Sequence, residues 1–217
     1  MTVSLRQPQG AAHTRIYAYG AARGERVVPN GELVGPIDSS DEWIRQRTGI
    51  VTRVRAVETT TAIDLAADAA TEAVSKSGVA PDKIDAVIVA TISNPRQTPS
   101  VSAIVAERIG AKDAAAYDLN AACAGFAYGV GQADALIRGG GAHYAVVIGA
   151  EKLSDIVDPT DRSISFLLGD GAGAAVVGPS ETPGIGPTVW GSDGSKADAV
   201  GMNHTLTEFR DGTAPWP

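Results

Sequence analysis

Short apolar runs alternate with helix-like segments through the middle of this chain, and this alternation constrains the fold more than any other feature. The run at 85–91 is continuous and apolar, which is typical of a strand buried on both faces. Runs at 114–119 and 144–149 predict two further strands. Because strands that alternate with helices form right-handed βαβ units, we expect an α/β fold with a mostly parallel sheet covered by helices on both faces.

The segments between these strands carry helical spacing. The clearest is 60–77, in which Ile63, Ala66, Ala70 and Val74 recur on one face. Further helices are predicted at 43–47, from Pro99 to 109 and at 123–138, and further strands at 15–22 and 50–57. The glycine-rich stretch after 168 predicts closely packed sheet and turn, and beyond 179 the glycines indicate turns and a hairpin-like stretch.

Composition and charge exclude several classes of protein. The net charge of −7 over 217 residues argues against a nucleic-acid partner. A single cysteine excludes an internal disulfide and a cysteine-based zinc site, and a reactive thiol suits a reducing cytoplasm. The longest apolar run is too short to span a bilayer, and the N-terminus has no apolar signal-peptide core. We therefore expect a cytoplasmic protein without a membrane partner.

The single cysteine, Cys123, is the candidate nucleophile. It follows a predicted strand, opens a predicted helix and lies among small residues at 120–126 (NAACAGF). A helix N-terminus stabilises a thiolate, and small neighbours leave room for a substrate. A lone cysteine is more often a small buried side chain, yet this position favours an acyl acceptor that forms a thioester.

Three segments taken together resemble one family, the β-ketoacyl-ACP synthase III (FabH-like) condensing enzymes of the thiolase superfamily. They are 40–50 (SDEWIRQRTGI), 121–126 (AACAGF), and 158–162 (DPTDR) with 169–175 (GDGAGAA). The resemblance implies a thiolase-like layered αβα(βα) fold, of which this chain holds the first half of a duplicated pattern. We expect a disordered leader over 1–13, an N-terminal thiolase-like half over 14–180 and the incomplete start of the second half over 181–217.

The resemblance also implies roles for individual residues. Cys123 takes an acyl group from acyl-CoA, and its backbone N–H helps to form an oxyanion hole. Trp43 and Arg162 sandwich the adenine of CoA, and Arg47 lies at the same entrance. The acyl pocket is implied at Leu153 and Leu168, with Thr98 contributed by the partner of a homodimer. Without the resemblance, Trp43 reads more readily as a core or edge side chain.

Four arginines at 45, 47, 53 and 55 concentrate positive charge in an acidic chain. They form a candidate patch for CoA phosphates or an acidic acyl carrier protein. A solvated strand edge explains Arg53 and Arg55 equally well.

The implied activity is transfer of an acyl group to Cys123, followed by condensation with malonyl-ACP to begin fatty-acid or polyketide synthesis. The two thioesters are substrates, and no cofactor or metal is expected. The family also uses a histidine and an asparagine late in its sequence, and none of His13, His143 and His204 lies in a matching context. We therefore expect that residues 1–217 alone do not condense, either as a fragment or because the other half is a separate chain.

Two other functions remain open at this point. One is a starter-unit enzyme or O-acyltransferase of a secondary pathway, which would share the cysteine motif. The other is a non-catalytic partner subunit of a condensing dimer, although such a subunit has no need of the nucleophile.

Overall fold

The structure is a computed structural model that describes residues 8–202 and 204–214. The strands are β1 (His13–Arg23), β2 (Arg26–Pro29), β3 (Thr52–Arg55), β4 (Ala86–Ala90), β5 (Ala115–Leu119), β6 (Ala145–Glu151) and β7 (Gly171–Ser180). The α-helices are α1 (Asp41–Thr48), α2 (Ala62–Ser77), α3 (Val101–Ile109), α4 (Gly125–Arg138) and α5 (Leu206–Arg210).

Five strands form the main sheet in the order β1-β7-β6-β4-β5. β4 pairs in parallel with both β5 and β6, whereas β7 runs antiparallel to its neighbours β6 and β1. Four of the five strands therefore point the same way, and the predicted mostly parallel sheet is confirmed. The carboxyl ends of β4, β5 and β6 meet at one edge of the sheet, called the carboxyl edge below.

Helices cover both faces of this sheet. Alternate residues of β4 explain why, because Val87 and Val89 face α2 and α3 whereas Ala86 and Ile88 face α4. All five residues of β4 are buried. The apolar run at 85–91 is thus a strand buried on both sides, as its composition predicts. The resulting α–β–α layers place the connection from β5 to α4, which carries Cys123, at the carboxyl edge.

A second, two-stranded sheet pairs β2 with β3 and has its own small core of Val28, Ile44 and Phe166. The strand arginines of β3 point into this region. Arg53 is buried and donates to the carbonyl oxygen of Val28 at 3.0 Å. Arg55 is half-buried and donates to the carbonyl oxygen of Ser165 at 2.6 Å. Both the surface-patch interpretation and the solvated-edge interpretation of these two arginines are therefore wrong.

Some element boundaries differ from the sequence expectation. α3 begins after Ser100, whose hydroxyl accepts from the N–H of Ala103, rather than at Pro99. Cys123 lies within a 3₁₀ turn over Ala122–Ala124, and α4 begins only at Gly125. Beyond 180, the described residues form a 3₁₀ turn at Gly194–Ala199 and the short α5 instead of a hairpin.

The expected disordered leader is also only partly testable, since residues 1–7 lie outside the described residues. The described remainder is packed. The N–H of Ala11 donates to the carbonyl oxygen of Ile137 at the end of α4, and β1 starts at His13. This part of the expectation is wrong because residues 8–13 are bound to the domain. The division at 180/181 stays a prediction. Within the described ranges, no helix combines the length and apolarity needed to cross a bilayer.

Candidate active site

Cys123 lies at the start of α4 and is exposed to solvent. In the turn that contains it, the N–H of Ala124 donates to the carbonyl oxygen of Ala121 at 3.0 Å, and the N–H of Gly125 donates to that of Ala122. The N–H of Cys123 belongs to the start of this 3₁₀ turn, where N–H groups have no acceptor within the turn. A substrate can therefore reach the sulfur, which lies just before the N-terminus of α4.

The residue before the cysteine has an unusual backbone. Ala122 has φ of 44°, a left-handed conformation that costs an alanine about 1–2 kcal/mol. Such conformations persist only where surrounding contacts hold them. The chain between β5 and α4 is thus bent sharply at Ala122, and the bend presents Cys123 outward.

Glycines of α4 bring the helix close to the sheet. A Cβ on Gly125 would lie 2.8 Å from the Cβ of Ala90, and one on Gly129 would lie 2.7 Å from Cγ1 of Val147. The side chain of Phe126 covers Gly149 of β6. These contacts fix the start of α4, and with it Cys123, over the carboxyl edge, where open α/β sheets bind their ligands.

A carboxylate that the sequence analysis did not single out organises this edge. Glu151, the last residue of β6, accepts hydrogen bonds from the N–H of Ile92 at 3.1 Å and from the hydroxyl of Ser93. Ser93 is fully buried and in turn accepts from the N–H of Lys152 at 2.8 Å. The segment after β4 is thereby held against the end of β6. The one sequence signal was an acidic residue at the end of an apolar strand, which by itself is not a motif.

The other end of that segment is anchored by Asp118 of β5. Its two carboxylate oxygens accept from the N–H groups of Val101 and Ser102 at 2.8 and 2.9 Å, at the start of α3. Thr98 lies between these two anchors and is exposed. Its expected place in the partner's acyl pocket is untested, and its exposure leaves it free for such a contact.

The three residues expected at the CoA entrance lie together. The guanidinium carbons of Arg47 and Arg162 lie 4.6 and 5.0 Å from the ring centre of Trp43, within the range of cation–π attraction. Trp43 is half-buried and makes an edge contact with Phe166 at 5.3 Å between ring centres. It therefore supports the small core on one side and presents a cationic, aromatic surface on the other.

The spacing of this cluster bears on how a base can enter it. A ring inserted between two flat groups needs about 7 Å between them, twice the contact distance of carbon atoms. Arg162 lies only 5.0 Å from Trp43. An adenine between the two requires the guanidinium of Arg162 to move outward.

Leu153 and Leu168, expected in the acyl pocket, line one cavity of about 70 Å³. Its other lining residues include Arg55, Ser154 and Ser165 and exclude both Cys123 and Thr98. The structure thus brings two of the three pocket residues together.

Asp170 fixes one wall of that cavity. It is 5% exposed, and its carboxylate accepts from the N–H of Ala56 at 2.8 Å and from the hydroxyl of Ser154 at 2.6 Å. It also accepts from the N–H of Ser154 at 3.1 Å. A buried carboxylate with this many donors is a structural group, and it links the end of β3 to the turn after β6.

Two of the histidines, His13 and His143, lie at the end of the sheet far from Cys123. His13 begins β1 and His143 lies two residues before β6, so both lie at the end of the strands opposite to the carboxyl edge. The ring of His143 packs edge-on against Tyr144. His204 precedes α5. In the part of the chain that the structure describes, no group of three or more His, Cys, Asp or Glu side chains could hold a metal ion.

Known proteins that are similar in sequence to this chain are named as the same kind of enzyme. The family described as 3-oxoacyl-[acyl-carrier-protein (ACP)] synthase III matches residues 117–194. The β-ketoacyl-[acyl-carrier-protein] synthase III of Kocuria rhizophila is 55% identical over 207 residues, which cover 95% of this chain and 58% of that protein. The corresponding protein of Streptomyces glaucescens is 45% identical over 208 residues, covering 96% of this chain and 62% of that one.

Solved structures give the same relationship. The priming β-ketosynthase of the R1128 polyketide biosynthetic pathway superposes with a TM-score of 0.92 at 40% identity, over 96% of this chain and 62% of that one. The 3-oxoacyl-(acyl carrier protein) synthase III FabH of Pseudomonas aeruginosa superposes with a TM-score of 0.82 at 35% identity, over 92% and 62%. The chain spans about three fifths of the length of these relatives. By sequence and by fold, it belongs to the β-ketoacyl-[acyl-carrier-protein] synthase III family.

Proposed function

We propose that Cys123 accepts the primer acyl group in an acyltransferase of the β-ketoacyl-ACP synthase III type. The thiolate attacks the carbonyl carbon of an acyl-CoA, a bond from carbon to the cysteine sulfur forms, and the bond to the CoA sulfur breaks. CoA leaves as a thiolate and takes up a proton from solvent. The exposed position of Cys123 in the 3₁₀ turn that leads into α4 is the observation that carries this proposal.

The same turn supports stabilisation of the tetrahedral intermediate. The N–H of Cys123 stands next to the atom under attack, and first-turn donors are available to an oxyanion. A neutral carbonyl oxygen gains charge only as the bond forms, so this donor favours the transition state over the bound substrate.

CoA recognition is proposed at Trp43, Arg47 and Arg162. The adenine stacks on Trp43, and the guanidinium of Arg162 closes over it after moving outward from its present position. Arg47 and Arg162 are exposed cations that suit the phosphates of CoA.

The complete reaction is proposed as condensation of the Cys123-bound acyl group with malonyl-ACP at the start of fatty-acid or polyketide synthesis. The two thioesters supply its chemistry without a further cofactor, in the cytoplasm. We further propose a homodimer. β5 is an outermost strand of the main sheet, and Thr98 is exposed close to it. Both features support contact with a second copy of the chain along β5. Residues 1–217 alone are expected to be acylated without condensing.

The proposed acyl pocket predicts primers larger than acetyl. Thr98 is smaller than an aromatic side chain and leaves more room at the partner's pocket, where Leu153 and Leu168 supply apolar walls. Acylation rates with acetyl-, isobutyryl- and longer acyl-CoA measure this preference, and strict preference for acetyl-CoA contradicts it.

Intact mass spectrometry after incubation with acyl-CoA tests the central step. A single acyl adduct on Cys123, absent from Cys123→Ala, is expected. Iodoacetamide labelling supplies a second readout, because rapid labelling that acyl-CoA slows favours an enzyme, whereas an inert thiol favours a non-catalytic subunit.

A priming role in a polyketide pathway is a second candidate, supported by the likeness to the R1128 priming β-ketosynthase. It shares the acylation step and differs in the primer and the acceptor. Competition between acyl carrier proteins of the two kinds of pathway for the acylated protein distinguishes the two roles.

A further inference from the structure

A small cavity at the carboxyl edge combines apolar walls with polar atoms that have no partner. Leu153, Val157 and Leu168 supply the apolar walls, and Arg55, Ser154 and Ser165 supply the polar ones. Its volume of about 70 Å³ holds about two groups of the size of water, which is the size of a carboxylate.

Two polar atoms on the cavity-lining residues lack hydrogen-bond partners among the described residues. They are Nε of Arg55 and Oγ of Ser165, both buried. Ser165 is 2% exposed, so its hydroxyl has almost no contact with bulk solvent. The hydroxyl of Ser154, by contrast, already donates to Asp170. Buried donors of this kind are unfavourable unless an acceptor fills the space between them.

The charge of Arg55 favours an anion as that acceptor. None of the ion pairs within 4 Å among the described residues includes Arg55. Asp170 is the acid that acts most strongly on Arg55, and its oxygens already accept hydrogen bonds from Ala56 and Ser154. Burial lowers the pKa of Arg55, because desolvation disfavours its charge, and Asp170 opposes that shift. A guanidinium still carries its proton under these conditions and gains from a carboxylate partner.

The cavity lies at the same edge of the sheet as Cys123. Leu153 follows the end of β6, and Leu168 precedes the start of β7, where Glu151 pairs with Gly171. Phe126, three residues after Cys123, covers Gly149 of β6. Strands are spaced about 5 Å apart, so the ends of β5 and β6, on either side of β4, lie about 10 Å from each other. A short acyl chain bound to Cys123 can span that distance.

We propose that this cavity, between Arg55 and Ser165, binds a carboxylate at the far end of the primer, so that the protein prefers CoA half-thioesters of short dicarboxylic acids over hydrocarbon acyl groups of the same shape. The inference rests on the proposed acylation of Cys123. The proposed function predicts only that the primer is larger than acetyl. This inference adds that the primer ends in a carboxylate, which accepts hydrogen bonds.

The test compares succinyl-CoA with 4-methylpentanoyl-CoA, in which an isopropyl group replaces the carboxylate. The rate of Cys123 acylation in the intact protein is followed by mass spectrometry. We expect the succinyl group to be transferred faster. In Arg55→Met the ratio of the two rates falls about tenfold or more, the factor of one charge-assisted hydrogen bond. Ser165→Ala lowers the same ratio by a smaller factor.

Two controls match these variants. Arg108→Met removes an exposed arginine of α3 that pairs with Asp64 of α2, outside the cavity lining. Ser163→Ala removes an exposed hydroxyl that donates to Asp161. Both leave the ratio unchanged. Arg55 also donates a hydrogen bond to the carbonyl oxygen of Ser165, so Arg55→Met could fail to fold. The hydroxyl of Ser165 makes no hydrogen bond, so Ser165→Ala keeps the fold and still tests the cavity.

Each remaining outcome overturns the proposal. Faster transfer of the 4-methylpentanoyl group, or a ratio that neither cavity variant changes, means that only ordered water fills the cavity. Acylation by 4-methylpentanoyl-CoA alone leaves the proposed function intact and removes this inference. Absence of acylation by both thioesters removes both.

Discussion

The Cβ that an alanine would place at Gly125 lies 2.8 Å from the Cβ of Ala90, closer than two methyl groups approach. Ala90 is the last residue of β4, and Gly125 follows the turn that holds Cys123. This contact between a helix start and a strand end therefore sets the height of the nucleophile above the sheet.

Gly125→Ala is expected to destabilise the protein and to slow acylation of Cys123. Overpacking costs about 1–3 kcal/mol, and the helix preference of alanine returns up to about 1 kcal/mol, so a net loss of about 1 kcal/mol is predicted in urea unfolding. Gly186→Ala, at a position with open space around it, is the control. A Gly125→Ala protein with native stability and native acylation rate contradicts the packing argument.

Trp43→Ala and Arg162→Met are expected to weaken CoA binding without changing the reactivity of Cys123. Loss of a stacked ring or of its guanidinium cover costs about 1–2 kcal/mol, which raises the KM for acyl-CoA about tenfold. Iodoacetamide labels both variants at the native rate. Arg45→Met, which removes an exposed arginine paired with Asp41 on the same helix, serves as the matched change. Equal KM values for all three variants exclude the cluster as the CoA entrance.

Asp170→Asn is expected to lower stability by about 2–3 kcal/mol. The carboxylate accepts from two N–H groups and one hydroxyl, and an amide nitrogen in the same place opposes one of these donors. Thermal unfolding measures the loss, with the exposed Asp158→Asn as the comparison. If Asp170→Asn lowers stability no more than Asp158→Asn does, the hydrogen bonds that the Asp170 carboxylate accepts contribute little to the stability of the fold.

Stability should fall in acid partly because of Asp64. Burial alone raises its pKa, but hydrogen bonds from Thr61 and Arg108 outweigh that effect and hold the pKa below the ordinary value. A carboxyl group with a lowered folded-state pKa stabilises the fold above its unfolded pKa and loses this contribution as pH falls through the folded value.

Asp64→Asn is therefore expected to be less stable than the native protein at neutral pH and to show a shallower decline below about pH 4. Urea unfolding across the acid range measures both. Asp68→Asn, at an exposed position one turn along α2, is the matched control. The idea fails if the slopes of Asp64→Asn and the native protein coincide.

The elements that the sequence predicted best are those whose burial is set locally. β4 is buried on both faces and has no polar residue between 86 and 90, and α2 presents its alanines at helical spacing between Thr61 and Gly78. Cys123 was placed correctly at a helix start because small residues follow a strand there. That Trp43, Arg47 and Arg162 lie close together was implied by the family resemblance and not by the residues themselves. The structure brings the three side chains together.

Features that depend on distant partners could not be read from the sequence. Arg53 and Arg55 alternate with other residues as on an exposed strand, yet carbonyl groups of Val28 and Ser165 draw them inward. The start of α3 is fixed by Asp118, which comes sixteen residues or more after the helix N–H groups that it binds. Glu151 gave no motif, because its donors lie about sixty residues earlier.

The most direct measurement is the intact mass of the protein after incubation with acyl-CoA, followed by peptide mapping. The proposed function predicts one acyl group in thioester linkage on Cys123, removed by hydroxylamine and absent from Cys123→Ala. An unmodified Cys123 in a folded, iodoacetamide-reactive protein, or an adduct that persists in Cys123→Ala, contradicts it.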